Sequence, residues 1–490
     1  MNKVLSTEAS RTVSSAAAST GLKSSPTDRT STLDFGKRLL LCMLAALVGC
    51  LIEIASFYPG YINSDSLDQL LQARRGIYLL YHPPIMAWIW RPLDALFPGP
   101  IGMLVLQNAF LWSGLAIIVA LASKRKVAAL LVLAIGLSPA VVAQLSTVWK
   151  DSQLGAALVL AWALLLAGRQ RSSLVAVLAS VPPLIYASAV RSNGPTAAFP
   201  IAVFLGMTLH QEFYRRSRRG KWVAGAVAGV LVVEAGVFSN DVLGVKGTVQ
   251  PLQGPFLHDL VGMSFDTGNN ELPGYLQSGP HASDLGSLRE IYKPDNLDPL
   301  FWTKGRSLWV TSDPRDVKEL YHRWLTAVSR HPILYLRHRW ELFSGLLGLG
   351  VENVIYPFQW QVEPNSLGIV KTRGILNKWA MSYLELTKNT VFFRAWAYLL
   401  LTFLTGIASF RYLRFGYLRS QDSVLCLAFS VYLYAFAYFF VTPTGAFRYI
   451  WWSVVGSLLM PLTLWSELRS SATAFAGLGR ATALQRSATV

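Results

Sequence analysis

Carboxylate, cationic and imidazole side chains that could act together on a phosphate lie in short stretches of an otherwise apolar chain. The first reads Tyr58-Pro59-Gly60-Tyr61-Ile62-Asn63-Ser64-Asp65-Ser66-Leu67-Asp68-Gln69. Asp65 and Asp68 are three apart, so on a helix they share a face. Ser64 or Asp65 would also suit the N-cap of that helix. In Tyr81-His82-Pro83-Pro84 the prolines fix the backbone and present His82. Val148-Trp149-Lys150-Asp151-Ser152 sets a Lys-Asp pair beside a tryptophan, which also suits a plain ion pair at a membrane surface. Val190-Arg191-Ser192-Asn193-Gly194-Pro195 and Thr442-Pro443-Thr444-Gly445-Ala446-Phe447-Arg448-Tyr449 carry one arginine each, and His258-Asp259 stands next to the apolar Leu260-Val261-Gly262-Met263. Lysine and arginine suit a phosphate. A nearby carboxylate can take a proton from an acceptor hydroxyl, while fixed cations stabilise charge on a departing phosphate.

The elements that must position these residues are apolar helices. Of 490 residues, 52% are hydrophobic and only 14% charged, with 44 Lys+Arg against 27 Asp+Glu and a net charge of +17. A soluble domain is about a quarter charged, so the composition argues against an ordinary soluble enzyme and against a nucleic-acid binder. The positive-inside rule accounts for the surplus cations. Cys42, Cys50 and Cys426 all lie in apolar runs, which leaves neither a disulfide framework nor a zinc cluster.

Ten segments approach the length needed to cross ~30 Å of hydrocarbon: 39–57, 101–123, 127–145, 152–168, 173–190, 195–210, 222–238, 391–410, 424–441 and 449–466. Lys37/Arg38, Lys124-Arg125-Lys126, Arg169/Arg171, the run from Arg215 to Lys221, and Arg411/Arg414/Arg419 fall in alternate loops, as ten spans with both termini inside require. The expected organisation is a disordered cytoplasmic tail over 1–36 and an N-terminal transmembrane module over 37–238, with a first outer loop at 58–100. An extracytoplasmic loop region with interfacial helices follows over 239–390, then C-terminal transmembrane helices over 391–468 and a second disordered tail over 469–490. No h-region precedes Leu39, so the N-terminus does not read as a signal peptide. Residues 333–350 are interrupted by Arg337, His338, Arg339 and Glu341 and read as an amphipathic helix at the outer interface. Asp313-Pro314 just before them reads as an N-cap with proline at N1. Glu53 and Glu234 fall inside spans, where partnership with the outer-face cations is expected. This topology puts every polar stretch described above on the outer side, suited to an anionic lipid headgroup.

Asn63-Ser64-Asp65-Ser66, His82-Pro83-Pro84, Trp149-Lys150-Asp151, Arg191-Ser192-Asn193 and Phe447-Arg448-Tyr449 together resemble bacterial membrane glycosyltransferases of the GT-C superfamily. That group includes protein O-mannosyltransferase-like and aminoarabinose-transferase-like enzymes. The resemblance spans roughly 37–466 as sparse motifs and implies an all-α polytopic fold with helices in the outer loops. It implies a polyprenyl-phosphate-linked sugar as donor and a cell-envelope glycan, lipid or protein as acceptor, at the outer side of a bacterial inner membrane. On that analogy Asp65 is the catalytic first-loop acid. Lys150, Arg191 and Arg448 would bind the donor phosphate, assisted by His82, with Asp151, Asn193, His258 and Asp259 in supporting places. In the mannosyltransferase-like group a second acid follows the first directly, whereas Ser66 follows Asp65 here, so either Asp65 or Asp68 could be the base. Some relatives use a divalent metal and others do not, which leaves that cofactor open. Two other readings compete: an O-antigen polymerase or ligase using a polyprenyl-diphosphate donor, and a non-enzymatic transporter or flippase for a lipid-linked sugar.

Overall fold

The computed structural model describes residues 26–79, 82–211, 218–244, 252–305, 308–350, 352–371, 374–418 and 420–488. The chain is helical, and among the described residues there is no β-strand, only isolated bridges. Six helices are long and apolar enough to cross a membrane: Leu33–Phe57, Ile101–Ala122, Lys150–Gln170, Arg219–Leu243, Ala395–Arg414 and Asp422–Val441. Each coincides with one of the ten expected segments.

The other four segments are also helical, but each departs from a simple span. Residues 127–145 form Arg125–Gly136 and Pro139–Leu145, bent by 57° where proline supplies no N–H. Residues 173–190 break at Ser180, just before two prolines, into Leu174–Ala179 and Val181–Ala189. Gly194–Leu209 has 16 residues, about 24 Å of helix against ~30 Å of hydrocarbon. The last expected span lies within Trp451–Ala488, a helix of 38 residues.

Close approach is what packs these helices. A Cβ on Gly49 or Gly136 would lie 2.2 or 2.3 Å from the Trp112 ring, and one on Gly114 would lie 2.9 Å from the Leu160 nitrogen. Small residues at such crossings let neighbouring helices meet. Buried indoles find partners: Trp162 donates to Thr463 Oγ1 at 3.0 Å, Trp451 to the Ala140 carbonyl at 2.9 Å and Trp452 to Ser430 Oγ at 3.0 Å.

The large loop builds a second hydrophobic core, separate from that of the bundle, around Leu257, Leu260, Val261, Leu288, Leu300 and Leu320. Its helix Pro314–Arg330 starts as expected, with the Asp313 carboxylate accepting from the Arg315 N–H at 2.8 Å. The following helix, Pro332–Leu347, buries His338 and Arg339 alongside Leu342, Phe343 and Leu346, while Arg337, Glu341, Ile333, Leu336 and Trp340 are exposed.

Three features of the structure stand beside the expected layout. Helix Pro26–Phe57 begins inside the stretch expected as the N-terminal tail, with Arg38 and Asp34 paired one turn apart at 2.7 Å. The last helix likewise continues to Ala488 through the expected C-terminal tail, whose Ala, Leu, Arg and Gln are strong helix formers. Among the described residues neither glutamate pairs with these cations; Arg191 is taken by Asp151 and Arg448 by Asp65. Glu53 is buried with no hydrogen-bond partner for Oε1, and Glu234 stands on an exposed helix face. The sequence readings that fall on residues 1–25, Tyr81, 215–217 and Arg419 lie outside the described residues.

Candidate functional site

The acidic first loop forms a helix over Ser64–Arg75, and its cap is Asn63 rather than Ser64 or Asp65. Asn63 Oδ1 accepts from the Ser66 N–H at 3.2 Å. The Asp65 side chain is thereby free for other work. Ser66 Oγ also donates to the Val148 carbonyl at 2.5 Å, and Tyr61 pairs with Thr147 in a parallel bridge. These bonds tie the loop to the residues leading directly into Lys150, the first residue of its helix.

His82 stands between the two stretches. Lys150 Nζ lies 2.6 Å from His82 Nδ1. An ammonium can only donate, so Nδ1 accepts and the ring proton sits on Nε2. That nitrogen faces Asp65 Oδ1 at 3.9 Å and Asp68 Oδ2 at 4.0 Å. Burial and the Lys150 charge push the His82 imidazole down to about 3, with Asp65 opposing.

Arg448 arrives on a 3-10 turn, Phe447–Ile450, and approaches Asp65 Oδ2 at 3.4 Å while donating to Tyr449 Oη at 3.0 Å. Its guanidinium lies over the rings of Trp149 and Tyr449 at 5.1 and 4.9 Å. Arg191, between two helix ends, pairs with Asp151 and donates to Asn193 Oδ1 at 2.9 Å. It too faces Tyr449, at 5.0 Å. Asp65, His82, Lys150, Arg191 and Arg448 thus form one group at one end of the bundle. Asp68 lies on its edge, 46% exposed and accepting from Gln72 at 2.5 Å.

The charges in this group are unevenly matched. Arg191 has Asp151 and Arg448 has Asp65, but among the described residues no carboxylate pairs with Lys150, whose close partner is the neutral His82. Burial opposes ionisation of Asp65, yet Arg448 and Lys150 outweigh it and hold the carboxyl well below its usual range. Beside the group runs an open apolar groove of about 530 Å3, lined by Pro195, Phe199, Val233, Leu433, Phe436 and Phe440. One wall begins just after the Arg191–Asn193 turn, and another contains Ala437, the neighbour of Tyr438, whose ring faces Arg191 at 5.6 Å.

His258 and Asp259 belong to a different cluster. Asp259 is fully buried, bonded to Arg339 at 2.5 Å and to the Trp324 indole at 2.8 Å, with His338 at 3.3 Å. His258 donates to the Lys293 carbonyl at 2.9 Å. Their connection to the cation group is indirect: Arg339 also donates to the Thr442 carbonyl at 3.0 Å, at the root of the turn carrying Arg448.

Sequence reasoning missed two acids. Glu363 accepts from the Ser64 N–H at 2.9 Å and fastens the acidic helix to the loop before Ile375–Thr387. Asp298 comes close enough to Arg448 and Asp65 for both charges to act on it. Neither stands in a marked motif; a proline just after Asp298 was the only local signal. Among the described residues no group of three or more His, Cys, Asp or Glu side chains is placed to hold a metal ion, and the Asp65 carboxylate is engaged by Arg448. No family model, curated protein or solved structure matches the chain.

Proposed function

We propose that the chain is an integral membrane glycosyltransferase. It moves a sugar from a polyprenyl-phosphate-linked donor to a cell-envelope acceptor at the outer side of a bacterial inner membrane. On this reading the ten helical segments all cross the bilayer, bent or short as some are, and the helical loops cover a GT-C-like site. The observation that carries it is the meeting of Lys150, Arg191 and Arg448 with Asp65 and His82 at one end of the bundle, with Lys150 lacking a carboxylate of its own. A half-buried cation is best matched by an anion, and a lipid phosphate supplies one. The adjoining apolar groove suits an isoprenoid chain, which would otherwise have to be left among the lipids.

In this arrangement Lys150 and Arg448 hold the donor phosphate and neutralise the charge that grows on it as the glycosidic bond breaks. Arg191, tied to Asp151 and Asn193, is the more rigid of the three and orients its neighbours. The test is binding of undecaprenyl phosphate to the purified protein. Lys150→Ala and Arg448→Ala are each expected to weaken it by about tenfold or more, the scale of one charge-assisted hydrogen bond. Wild-type affinity in both variants would remove the basis of this reading.

A further inference from the structure

The large loop brings a further acid beside the cation group, in a segment held there by backbone hydrogen bonds. Residues 295–298 run alongside the turn that bears Arg448. The Gly445 N–H donates to the Asp295 carbonyl at 3.0 Å, the Leu297 N–H donates to the Pro443 carbonyl at 3.2 Å, and Asn296 bridges to Thr444. Asn296 Oδ1 then accepts from the Asp298 N–H at 3.0 Å, setting Asp298 at the start of helix Asp298–Trp302. Its side chain is half-buried, and among the described residues no cation pairs with it.

Asp65 is placed quite differently. Arg448 lies at 3.4 Å, the charges of Lys150 and Arg191 act on it as well, and the neutral His82 ring stands at 3.9 Å. A carboxylate stabilised by so many cations is a weak proton acceptor, and a general base works best when its pKa lies toward the working pH. Burial pushes Asp298 the other way, with Arg448 opposing and the negative charge of Asp65 reinforcing it. Of the two acids, Asp298 therefore accepts a proton more readily.

We propose that Asp298, delivered by the large loop, is the catalytic base, and that Asp65 instead arranges Arg448 and Lys150 around the donor phosphate. This rests on the glycosyl-transfer reading given above. The acceptor hydroxyl gives its proton to the Asp298 carboxylate as its oxygen bonds to the anomeric carbon of the donor sugar. The bond from that carbon to the phosphate oxygen breaks, and its electron pair stays on the oxygen. Polyprenyl phosphate departs carrying the added negative charge, against Lys150 and Arg448.

The test measures two properties of the same full-length variants. One is undecaprenyl phosphate binding by purified protein. The other is the rate at which the strain's envelope glycan product, followed by mass spectrometry, returns after induced expression in a deletion strain. Asp298→Asn is expected to bind undecaprenyl phosphate like the wild type but to form product about 100-fold more slowly or worse. Asp298→Glu, which keeps a proton acceptor, should recover part of that rate, a rescue that a purely structural role would not give. Asp298→Ser serves if the Asn variant does not accumulate. Product formation at the wild-type rate by Asp298→Asn or Asp298→Ser, with Asp65→Asn inactive, would overturn the proposal and leave the glycosyl-transfer reading standing. Unweakened binding by both Lys150→Ala and Arg448→Ala, or an unchanged envelope in the deletion strain, would instead remove the reading itself.

Discussion

His82 is the residue whose protonation the site controls most tightly. Its Nδ1 takes a hydrogen bond from Lys150, and its Nε2 faces Asp65 and Asp68. An unfolded chain would protonate this imidazole near 6.5, whereas the folded chain refuses the proton down to about 3. The resulting contribution to stability is complete above 6.5 and is lost progressively as pH falls toward 3. His82→Gln should therefore flatten part of the acid limb of a Tm-against-pH curve. An acid limb identical to the wild type would show that His82 is already charged in the folded protein. The same reasoning separates the two acids of the site, since Asp65 is surrounded by cations and Asp298 is not.

Among the elements, two junctions hold the site together, and each can be loosened separately. The helix Ser64–Arg75 depends on the Asn63 cap. Asn63→Ala is expected to cost about 0.5–2 kcal/mol, read as a lower Tm, and to move Asp65 away from Arg448. The second junction is the fully buried Arg339–Asp259 pair, which holds the Thr442 carbonyl. Removing one partner strands the other charge in the interior, at a typical cost of about 3–5 kcal/mol. Arg339→Met should thus lower thermal stability far more than Arg337→Met, whose partner Asp266 lies at a half-exposed position. Equal losses from the two variants would mean that the buried pair is solvated.

At the scale of the whole molecule, the question is which helices cross the membrane. Six pass on length and apolar character, and the other four expected segments are bent, short or continued into longer helices. If all ten cross, five crossings separate Lys124 from Lys304, so the two lie on opposite sides. Lys304→Cys should then react with an impermeant maleimide in intact spheroplasts, and Lys124→Cys only after permeabilisation. The native cysteines are buried or half-buried in apolar surroundings. Labelling of both positions from the same side would require an even number of crossings between them and would break the proposed topology.

Much of the helical architecture was legible in the chain because hydrocarbon imposes a length and a composition on anything that crosses it. The segments at 101–123 and 424–441 show this directly, matching helices Ile101–Ala122 and Asp422–Val441. The residue types at Asp65, His82, Lys150, Arg191 and Arg448 were legible for a similar reason, since charges stand out against an apolar background. Helix ends were less legible, because Ala-rich sequence without apolar runs can extend a helix already begun, as over Trp451–Ala488. Only the tertiary structure decided which charges meet. Arg448 and Asp65 are 383 residues apart, and nothing local records that they touch. It also decided that Asn63 caps the acidic helix, that Glu53 stays apart from the cations, and that Asp298 comes to the site. Those outcomes depend on long-range backbone pairing and on competition for partners, which a linear pattern does not encode.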